Sequence, residues 1–144
     1  MTHPAVPGAE RTLVLIKPDA VSRGLTGRIL TRYEEKGLRV VALEQRVIDR
    51  DLAARHYAEH VGRPYYPGLE DFIVSGPLVS LVLEGERAIA AVRSLNGATD
   101  GVEAIPGSIR GDFGTSKSLN LVHASDSPES AQREIGIWFP ALAD

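Results

Sequence analysis

The sequence TLVLI, residues 12–16, is a continuous apolar run of strand length. Strands that are covered on both faces read as near-continuous apolar runs, whereas half-exposed strands alternate apolar and polar residues. The run therefore predicts a buried central strand. Lys17 follows it, and Pro18 disfavours helical backbone at the residue before it. Lys17 is thus predicted to be extended at the end of this strand.

Strand and helix patterns alternate along the chain beyond this strand. Apolar residues at helical spacing predict a helix over residues 27–36, which Gly37 should end. Further predicted elements are a strand at 38–47, a helix at 51–60, a helical piece at 71–74 beyond the RPYYPG break, a strand at 77–85, and a helix carrying Ala88, Ile89 and Val92 that ends near Gly97.

The C-terminal part contains a long stretch without periodicity. Residues 96–118 are rich in glycine, and irregular segments of this length are commonly functional or mobile. A short fourth strand is predicted at 120–122 and a final helix at 128–139. The order of elements predicts an α+β fold with one sheet covered by helices. Residues 1–10 are predicted to form a mobile arm and residues 11–144 a single domain.

Composition limits the partners. The net charge of −3 and the pI near 5.8 provide no general basic field, so neither nucleic acid nor an anionic membrane is expected to bind. The chain has no cysteine, which excludes disulfides, thiolate metal sites and a cysteine nucleophile. No apolar segment approaches the length of a membrane span. A soluble, cytoplasmic protein is expected.

The stretch NLVHASDSPESA, residues 120–131, combines a helix start with a histidine. Ser127 is suited to cap a free N–H, Pro128 tolerates the first helical position, and Glu129 suits the positive end of the helix dipole. These three residues are explained by structure alone. His123 is not explained by the cap, although a single histidine is more often a surface or core residue than a catalyst.

The helix that follows brings a carboxylate near the buried side. Ala131, Ile135, Trp138 and Phe139 define its apolar stripe, and Glu134 falls about 60° from Ala131 at about 100° per residue. If the helix folds against the strand with His123, the carboxylate would orient the imidazole. The alternative is a border glutamate paired with a lysine or arginine, and the helix pattern alone favours that alternative.

Two arginines and a threonine suggest a phosphate site. Arg93 lies near a helix end, Arg110 lies in the glycine-rich stretch, and Thr99 lies between them. Guanidinium groups bind phosphate oxygens in forks, and a hydroxyl adds a donor. The alternative is that both arginines are simply solvated. The chain has no GxxxxGK[ST] and no GxGxxG after a strand, so side chains would have to hold any nucleotide phosphates.

Four segments together resemble the nucleoside diphosphate kinases, in that family's order and spacing, almost from end to end. They are ERTLVLIKPDAVSRGLTGRIL (10–30), HYAEHVGRPYYPGL (56–69), PGSIRGDF (106–113) and LVHASDSPESAQREIGIWF (121–139). The resemblance implies a ferredoxin-like βαββαβ sandwich with a four-stranded antiparallel sheet covered by helices. It also implies ping-pong transfer of the γ-phosphoryl group from a nucleoside triphosphate such as ATP or GTP to a diphosphate such as GDP, through a phosphohistidine at His123. Broad base specificity should follow.

The resemblance also assigns roles to the other site residues. Glu134 and Ser125 match the family residues that hydrogen-bond behind the histidine. Lys17 and Asn120 match the residues that contact the ribose hydroxyls and, through the sugar, the transferring phosphate. Phosphate contacts match Tyr57, Arg93, Thr99 and Arg110, and the aromatic residue that stacks on the base matches Tyr65. Mg²⁺ is expected mainly on the nucleotide phosphates, with Asp126 near it through water. A homo-oligomer, either a hexamer or a tetramer built from dimers, is expected.

Five positions depart from the family pattern. Ala124 stands where glycine is common and would be strained if that backbone requires positive φ. Tyr65 replaces phenylalanine, and Lys117 replaces an apolar residue whose place its alkyl stem could take. Asp100 adds a negative charge beside the expected phosphate site, and Gly101 should loosen the surrounding loop.

Two other classes of protein remain as alternatives. A phosphohistidine carrier would use His123 without needing the base and ribose contacts. A noncatalytic nucleotide-binding or interaction module on the same fold would be expected to have lost the histidine or an arginine, and none is missing.

Overall fold

The central strand predicted from TLVLI lies inside a four-stranded sheet. In the computed structural model, which describes residues 8–143, β1 (Glu10–Ile16) pairs with β3 (Leu78–Gly85) on one side and with β4 (Val122–Ala124) on the other. β2 (Arg39–Arg46) lies beyond β3, which gives the order β2-β3-β1-β4. Every pairing is antiparallel. The predicted α+β fold with a four-stranded antiparallel sheet is confirmed.

Helices cover both faces of this sheet, because β1 is apolar on both. Val14 and Ile16 belong to one core cluster, and Leu13 and Leu15 belong to the other. The helices are α1 (Pro18–Ser22), α2 (Thr26–Glu35), α3 (Arg50–His56), α4 (Tyr66–Ile73), α5 (Ala88–Asn96), α6 (Ile109–Phe113) and α7 (Pro128–Trp138), followed by a 3₁₀ turn at Pro140–Leu142. The first cluster contains residues of α2 and α5, and the second contains residues of α3 and α7.

Several element boundaries differ from the sequence-based prediction. Helix α3 ends four residues before the predicted limit of 60, and α4 begins inside the RPYYPG break, with Pro67 in its first turn. Two short helices were not predicted. One is α1, and the other is α6, whose first turn is capped by Ser108 Oγ accepting from the Gly111 N–H at 3.0 Å. The predicted cap of α7 is confirmed, because Ser127 Oγ accepts from the Ser130 N–H at 3.1 Å.

The fourth strand begins two residues later than predicted because the backbone turns tightly at Leu121. This leucine has φ of 75°, and the Val122 N–H donates to the Asn120 carbonyl at 2.8 Å across it. The geometry is that of a γ-turn, which costs strain at a residue with a side chain. Ala124 lies in β4 opposite Val14 and does not have positive φ. The condition for strain at Ala124 is therefore not met, and the strained backbone lies three residues earlier.

Lys17 is extended, with φ of −76° and ψ of 166°, as predicted for the residue before a proline. Its N–H donates to the Leu121 carbonyl at 2.8 Å, which joins the end of β1 to the tight turn. The predicted mobile arm falls largely on residues 1–7, which lie outside the described residues, so the division into an arm and one domain stays a prediction. Among residues 8–143, no helix has both the length and the apolar character of a membrane span.

Candidate active site

His123 lies on β4 opposite Leu15 of the central strand, and its side chain is 25% exposed. Its Nε2 lies 2.8 Å from Oε1 of Glu134, which α7 carries on its buried face. Glu134 is only 5% exposed. The sequence linked these two residues only if the helix folds against the strand with His123, and the structure shows that it does. Glu134 is also more deeply buried than its predicted position on the flank of the apolar stripe suggests.

Ser125 anchors the same carboxylate to the sheet. Its hydroxyl donates to Glu134 Oε1 at 3.0 Å and accepts from the Leu13 N–H of β1 at 3.2 Å. A carboxylate oxygen can only accept, so the His123 proton that faces Glu134 belongs to Nε2. In a neutral imidazole, Nδ1 then holds the free lone pair. The arrangement fixes one tautomer of His123 and leaves the free lone pair on Nδ1.

The sequence interpretation missed a second histidine beside the first. The ring of His56 lies 4.6 Å from the ring of His123, centroid to centroid, and is buried. A usable signal existed, because His56 follows Leu52 and Ala53 at helical spacing and so lies on the buried stripe of α3. A nitrogen of each histidine and a carboxylate oxygen of Glu134 lie within 4.8 Å of one another, a spacing that could suit a metal ion. A hydrogen bond joins His123 to Glu134, and an edge-to-face ring contact joins His56 to His123, so these contacts account for the spacing.

Tyr57 follows His56 directly, and the two rings meet edge to face at 4.7 Å. Burial raises the pKa of Tyr57 to about 12, with the nearby Tyr66 and Glu134 contributing to the shift. The phenol is therefore neutral at physiological pH. It can donate a hydrogen bond to an anion.

Lys17 and Asn120 form a pair at the end of β1. Lys17 Nζ donates to Asn120 Oδ1 at 2.5 Å, and Asn120 Nδ2 donates to the Lys117 carbonyl at 2.7 Å. Burial lowers the pKa of Lys17 to about 8, with Asp19 opposing the shift and Arg110 adding to it. The ammonium is thus a partly desolvated cation that an anion would stabilise.

Arg110 is held by three backbone carbonyls. Its Nε donates to Asn120 O at 2.9 Å, one terminal nitrogen to Gly97 O at 2.9 Å, and the other to Val122 O at 2.6 Å. A guanidinium has five N–H groups, so two remain for a ligand. Two of the three carbonyls flank Leu121, so Arg110 also bridges the strained turn. Burial lowers its pKa, yet arginine stays charged in this range.

Three of the predicted phosphate contacts line one cavity of about 100 Å³: Arg93, Thr99 and Arg110. Ala124, the residue after His123, lines it as well, and Arg93 donates to the Ala124 carbonyl at 3.4 Å. Asp126 is exposed. A hydrogen bond from Ser130 and the charge of Arg93 lower the pKa of Asp126, so it is ionised at neutral pH. The cavity therefore gathers two guanidinium groups and a hydroxyl next to the residue that follows the histidine.

Tyr65 lies at the outer limit of the site and is 56% exposed. Its hydroxyl is 2.6 Å from Nδ1 of His60, and the His60 ring in turn lies 5.9 Å from the Tyr57 ring. The hydroxyl that distinguishes this residue from phenylalanine is thus used within the protein. The Lys117 side chain is exposed, so no described contact places its stem where a base would lie.

The two unusual loop residues have structural tasks. Asp100 Oδ1 accepts from the Val102 N–H at 3.0 Å, and its carbonyl accepts from Glu103 and Ala104. Gly101 is buried, and a Cβ there would overlap the carbonyl group of Gly114. The expectation that Gly101 loosens the loop is wrong, because the absence of a side chain lets two backbone segments meet closely.

The chain matches known proteins over nearly its full length. The sequence model of the family described as nucleoside diphosphate kinase matches residues 10–143. A nucleoside diphosphate kinase from Nocardioides sp. is 67% identical over 132 residues, which cover 92% of this chain and 98% of that protein. One from Cutibacterium acnes is also 67% identical, over 133 residues that cover 92% and 96%.

Solved structures agree with the sequence matches. A halophilic nucleoside diphosphate kinase from Halobacterium salinarum in complex with CDP superposes with a TM-score of 0.87 and 49% identity, covering 90% of this chain and 87% of that one. A nucleoside diphosphate kinase family protein from Babesia bovis gives a TM-score of 0.89 at 47% identity, covering 92% and 89%.

Proposed function

Because the chain belongs to the nucleoside diphosphate kinase family, we propose that His123 is the residue that carries the phosphoryl group between two nucleotides. Family membership makes the protein a phosphotransferase that moves the γ-phosphoryl group of a nucleoside triphosphate to a nucleoside diphosphate. The observation that carries the assignment of His123 is its 2.8 Å hydrogen bond to Glu134. In this bond Nε2 is the donor and carries the ring proton, so Nδ1 keeps a free lone pair. The His123 side chain is partly exposed.

The transfer has two steps, and each step forms one bond to phosphorus and breaks another. Nδ1 of His123 attacks the γ-phosphorus, the bond from that phosphorus to the β–γ bridging oxygen breaks, and a nucleoside diphosphate leaves. A terminal β-phosphate oxygen of a second diphosphate then attacks the phosphohistidine, and the P–N bond breaks. The covalent intermediate allows one site to serve donor and acceptor in turn. Glu134, held by Ser125, keeps the ring oriented and stabilises positive charge on it.

Positive side chains hold the phosphates. Phosphoryl transfer depends mainly on in-line positioning and on neutralising negative charge. Arg93, Thr99 and Arg110 line one cavity together with Ala124, the residue after His123, which supports their role as phosphate contacts. The neutral phenol of Tyr57 supplies a further donor. Lys17 contributes to both binding and catalysis, because its ammonium would gain an anionic partner at the transferring phosphate.

The rest of the nucleotide is held less tightly. Lys17 and Asn120 are paired and would share the ribose hydroxyls between them. Tyr65 offers an exposed ring for stacking, and stacking tolerates every base because each has a π face. The protein should therefore accept ATP, GTP and other triphosphates with little preference among bases.

Mg²⁺ is the proposed cation. Asp126 offers an exposed, ionised carboxylate, which is the hard oxygen ligand that Mg²⁺ prefers. Such a single carboxylate fits a metal that is held mainly by nucleotide phosphates and touched by the protein through water. When bound, the ion would neutralise charge on the phosphate oxygens.

A homo-oligomer in the cytoplasm is also proposed. Strand β2 is at the sheet edge, and unpaired strand edges readily accept a second chain. Val102 and Ile105 are 73% and 77% exposed, which supports a further contact between copies. The mass in solution should correspond to a tetramer or hexamer built from dimers. The nucleotide substrates are the reason for the proposed cytoplasmic location.

The assignment of His123 is tested by labelling. Purified protein is mixed with γ-labelled ATP and Mg²⁺, and the protein is then isolated and given unlabelled GDP. The expected result is an acid-labile phosphoprotein whose label moves to GTP. The His123→Ala variant should form neither product, whereas His60→Ala, which removes another partly exposed histidine, should still take up label.

Two results would contradict the proposal. One is a wild-type protein that makes GTP without ever carrying acid-labile label. The other is a His123→Ala variant that carries as much label as the wild type, which would place the phosphoryl group elsewhere.

A further inference from the structure

His56, a buried histidine that the transfer steps do not use, touches the nucleophile. It is the last residue of α3 and is 4% exposed. Its ring and that of His123 meet edge to face, with centroids 4.6 Å apart and planes at 81°. The indole of Trp138 lies 5.4 Å from the His56 ring, with planes at 78°. His56 therefore contacts both the nucleophile and the single tryptophan of the chain.

Trp138 determines which nitrogen of His56 is protonated. The indole N–H of Trp138 donates to His56 Nδ1 at 3.0 Å. An indole nitrogen can donate but cannot accept, so His56 Nδ1 must present a lone pair. The remaining proton of the neutral ring then lies on Nε2. Burial lowers the pKa of His56 well below its usual value, and the charges of His123, Arg133 and Lys17 lower it further. His56 is thus a neutral ring in one tautomer.

We propose that Trp138 and His56 form a positioning pair that fixes the tilt of the His123 ring. The inference rests on the proposed role of His123 as the nucleophile. A single hydrogen bond from Nε2 to Glu134 leaves the ring free to rotate about that bond. An edge-to-face neighbour restricts this rotation, because such ring pairs have a preferred geometry. Trp138 is needed because its hydrogen bond, made from α7, holds the His56 ring of α3 in place.

This restraint acts on the alignment of His123 Nδ1 with the γ-phosphorus. The attacking nitrogen must lie in line with the bond that breaks, and a displacement of about 1 Å from the productive position costs about 100-fold in rate. A positioning pair acts on the rate of the bound complex. Nucleotide affinity should change little, because neither Trp138 nor His56 is among the proposed nucleotide contacts.

The test compares Trp138→Phe with Ile135→Val. The first variant keeps an aromatic ring and removes the N–H, and the second makes a small cavity on the same face of α7 without changing a hydrogen bond. Rapid-quench measurement with saturating γ-labelled ATP gives the rate constant for phosphorylation of the protein. Trp138→Phe should lower it about tenfold while KM changes less than twofold, and Ile135→Val should change it less than twofold.

Nitrogen-15 NMR of histidine-labelled protein adds a readout that general damage to the core would not produce. The chain has four histidines, so each signal can be assigned from single substitutions. At pH 7.5 the wild-type His56 should be neutral, with an unprotonated Nδ1 and a protonated Nε2. In Trp138→Phe, the Nδ1 signal should move towards the value for mixed tautomers.

Two outcomes would overturn the positioning pair. They are a wild-type His56 that is protonated on Nδ1, and a Trp138→Phe variant that is phosphorylated at the wild-type rate. If Trp138→Phe does not fold, His56→Asn replaces it. That variant keeps an acceptor near the indole and removes the ring, so a wild-type rate would again overturn the proposal. Failure of the proposed function is distinct, because the wild type itself would then carry no label at His123.

Discussion

The proposed nucleophile and two of the proposed phosphate contacts, Thr99 and Arg110, are held by two different kinds of structure. His123 lies on β4, Ser125 directly follows that strand, and Glu134 lies on α7. Hydrogen bonds link these three side chains, and the Leu13 N–H of the central strand donates to Ser125. By contrast, Thr99 and Arg110 lie in the glycine-rich segment, residues 96–118, where the only complete helix is the five-residue α6. One part depends on regular secondary structure, and the other depends on contacts that individual side chains make with backbone carbonyls.

The two parts also differ in what they must do. A covalent nucleophile has to be oriented before the substrate arrives, because the free energy of orienting it would otherwise be added to the barrier. Buried hydrogen bonds between regular elements achieve this. The proposed phosphate contacts must admit and release two different nucleotides, so exposed groups such as Arg93 and Thr99 suit them. Arg110 is intermediate, because three carbonyls hold it while two of its N–H groups remain for a ligand.

The largest effect is expected from removing the Glu134 carboxylate, which is proposed to orient His123. Glu134→Ala leaves the His123 ring without an acceptor at Nε2, so we expect the phosphorylation rate constant at saturating ATP to fall about 30-fold, with little change in KM. Glu134→Gln keeps an acceptor oxygen and should lose less. Glu129→Gln removes a charge from the exposed first turn of the same helix and serves as the control. An unchanged rate in Glu134→Ala would mean that the regular part of the site does not preorganise the histidine.

The next prediction concerns the glycine-rich segment, which its composition suggests is loose. Gly101→Ala places a Cβ against the Gly114 carbonyl, and overpacking of this kind costs about 2 kcal/mol. We expect the free energy of unfolding in urea to fall by that amount. The KM for nucleotide should rise as well, because Arg110 lies in the same packed segment.

Gly27→Ala is the matched control for this change. Gly27 lies in α2, and a Cβ there would have no neighbour within 4 Å. An alanine at a helical position raises the free energy of unfolding by about 1 kcal/mol. If Gly101→Ala were as stable as Gly27→Ala, the segment would be able to shift, and its contrast with the rigid histidine network would be larger than the structure indicates.

The sequence predicts the regular part of the site better than the irregular part. A continuous apolar run locates the central strand and apolar periodicity locates α7, while Ser127 and Pro128 locate the start of that helix. The helix period then places Glu134 beside the buried stripe of α7, and the packing of α7 in the fold brings its carboxylate to His123. Each of these signals is local, and the packing of the core preserves it.

The irregular part is determined by contacts that no local pattern records. A leucine at positive φ has no sequence signature, so the turn at Leu121 and the late start of β4 could not be predicted. The three carbonyls that hold Arg110 come into position only when the chain has folded. Gly101 illustrates the same point, because a glycine selected for close packing cannot be distinguished by composition from a glycine selected for flexibility.

The smallest effect is expected at Lys17, where the two parts meet through Asn120. Because its pKa is lowered to about 8, Lys17 is charged at pH 7 and about one-tenth charged at pH 9. The KM of the wild type for nucleotide should therefore rise up to about tenfold over this range, as the contact with the phosphates loses its charge. Lys17→Gln is neutral throughout and should lack this titration. Equal pH dependence in both proteins would refute the prediction.

Stability should change in the opposite sense, which separates the effect of Lys17 on binding from general alkaline damage. The folded pKa lies below the unfolded value of 10.5, so between about pH 8 and 10.5 the unfolded chain binds more protons. The free energy of unfolding of the wild type must then rise with pH relative to that of Lys17→Gln over this interval. Urea titrations of both proteins at pH 7 and 9 measure this difference. The ammonium that lowers the stability of the free fold is the one proposed to contact the bound nucleotide, so stability and nucleotide binding should respond to its charge in opposite directions.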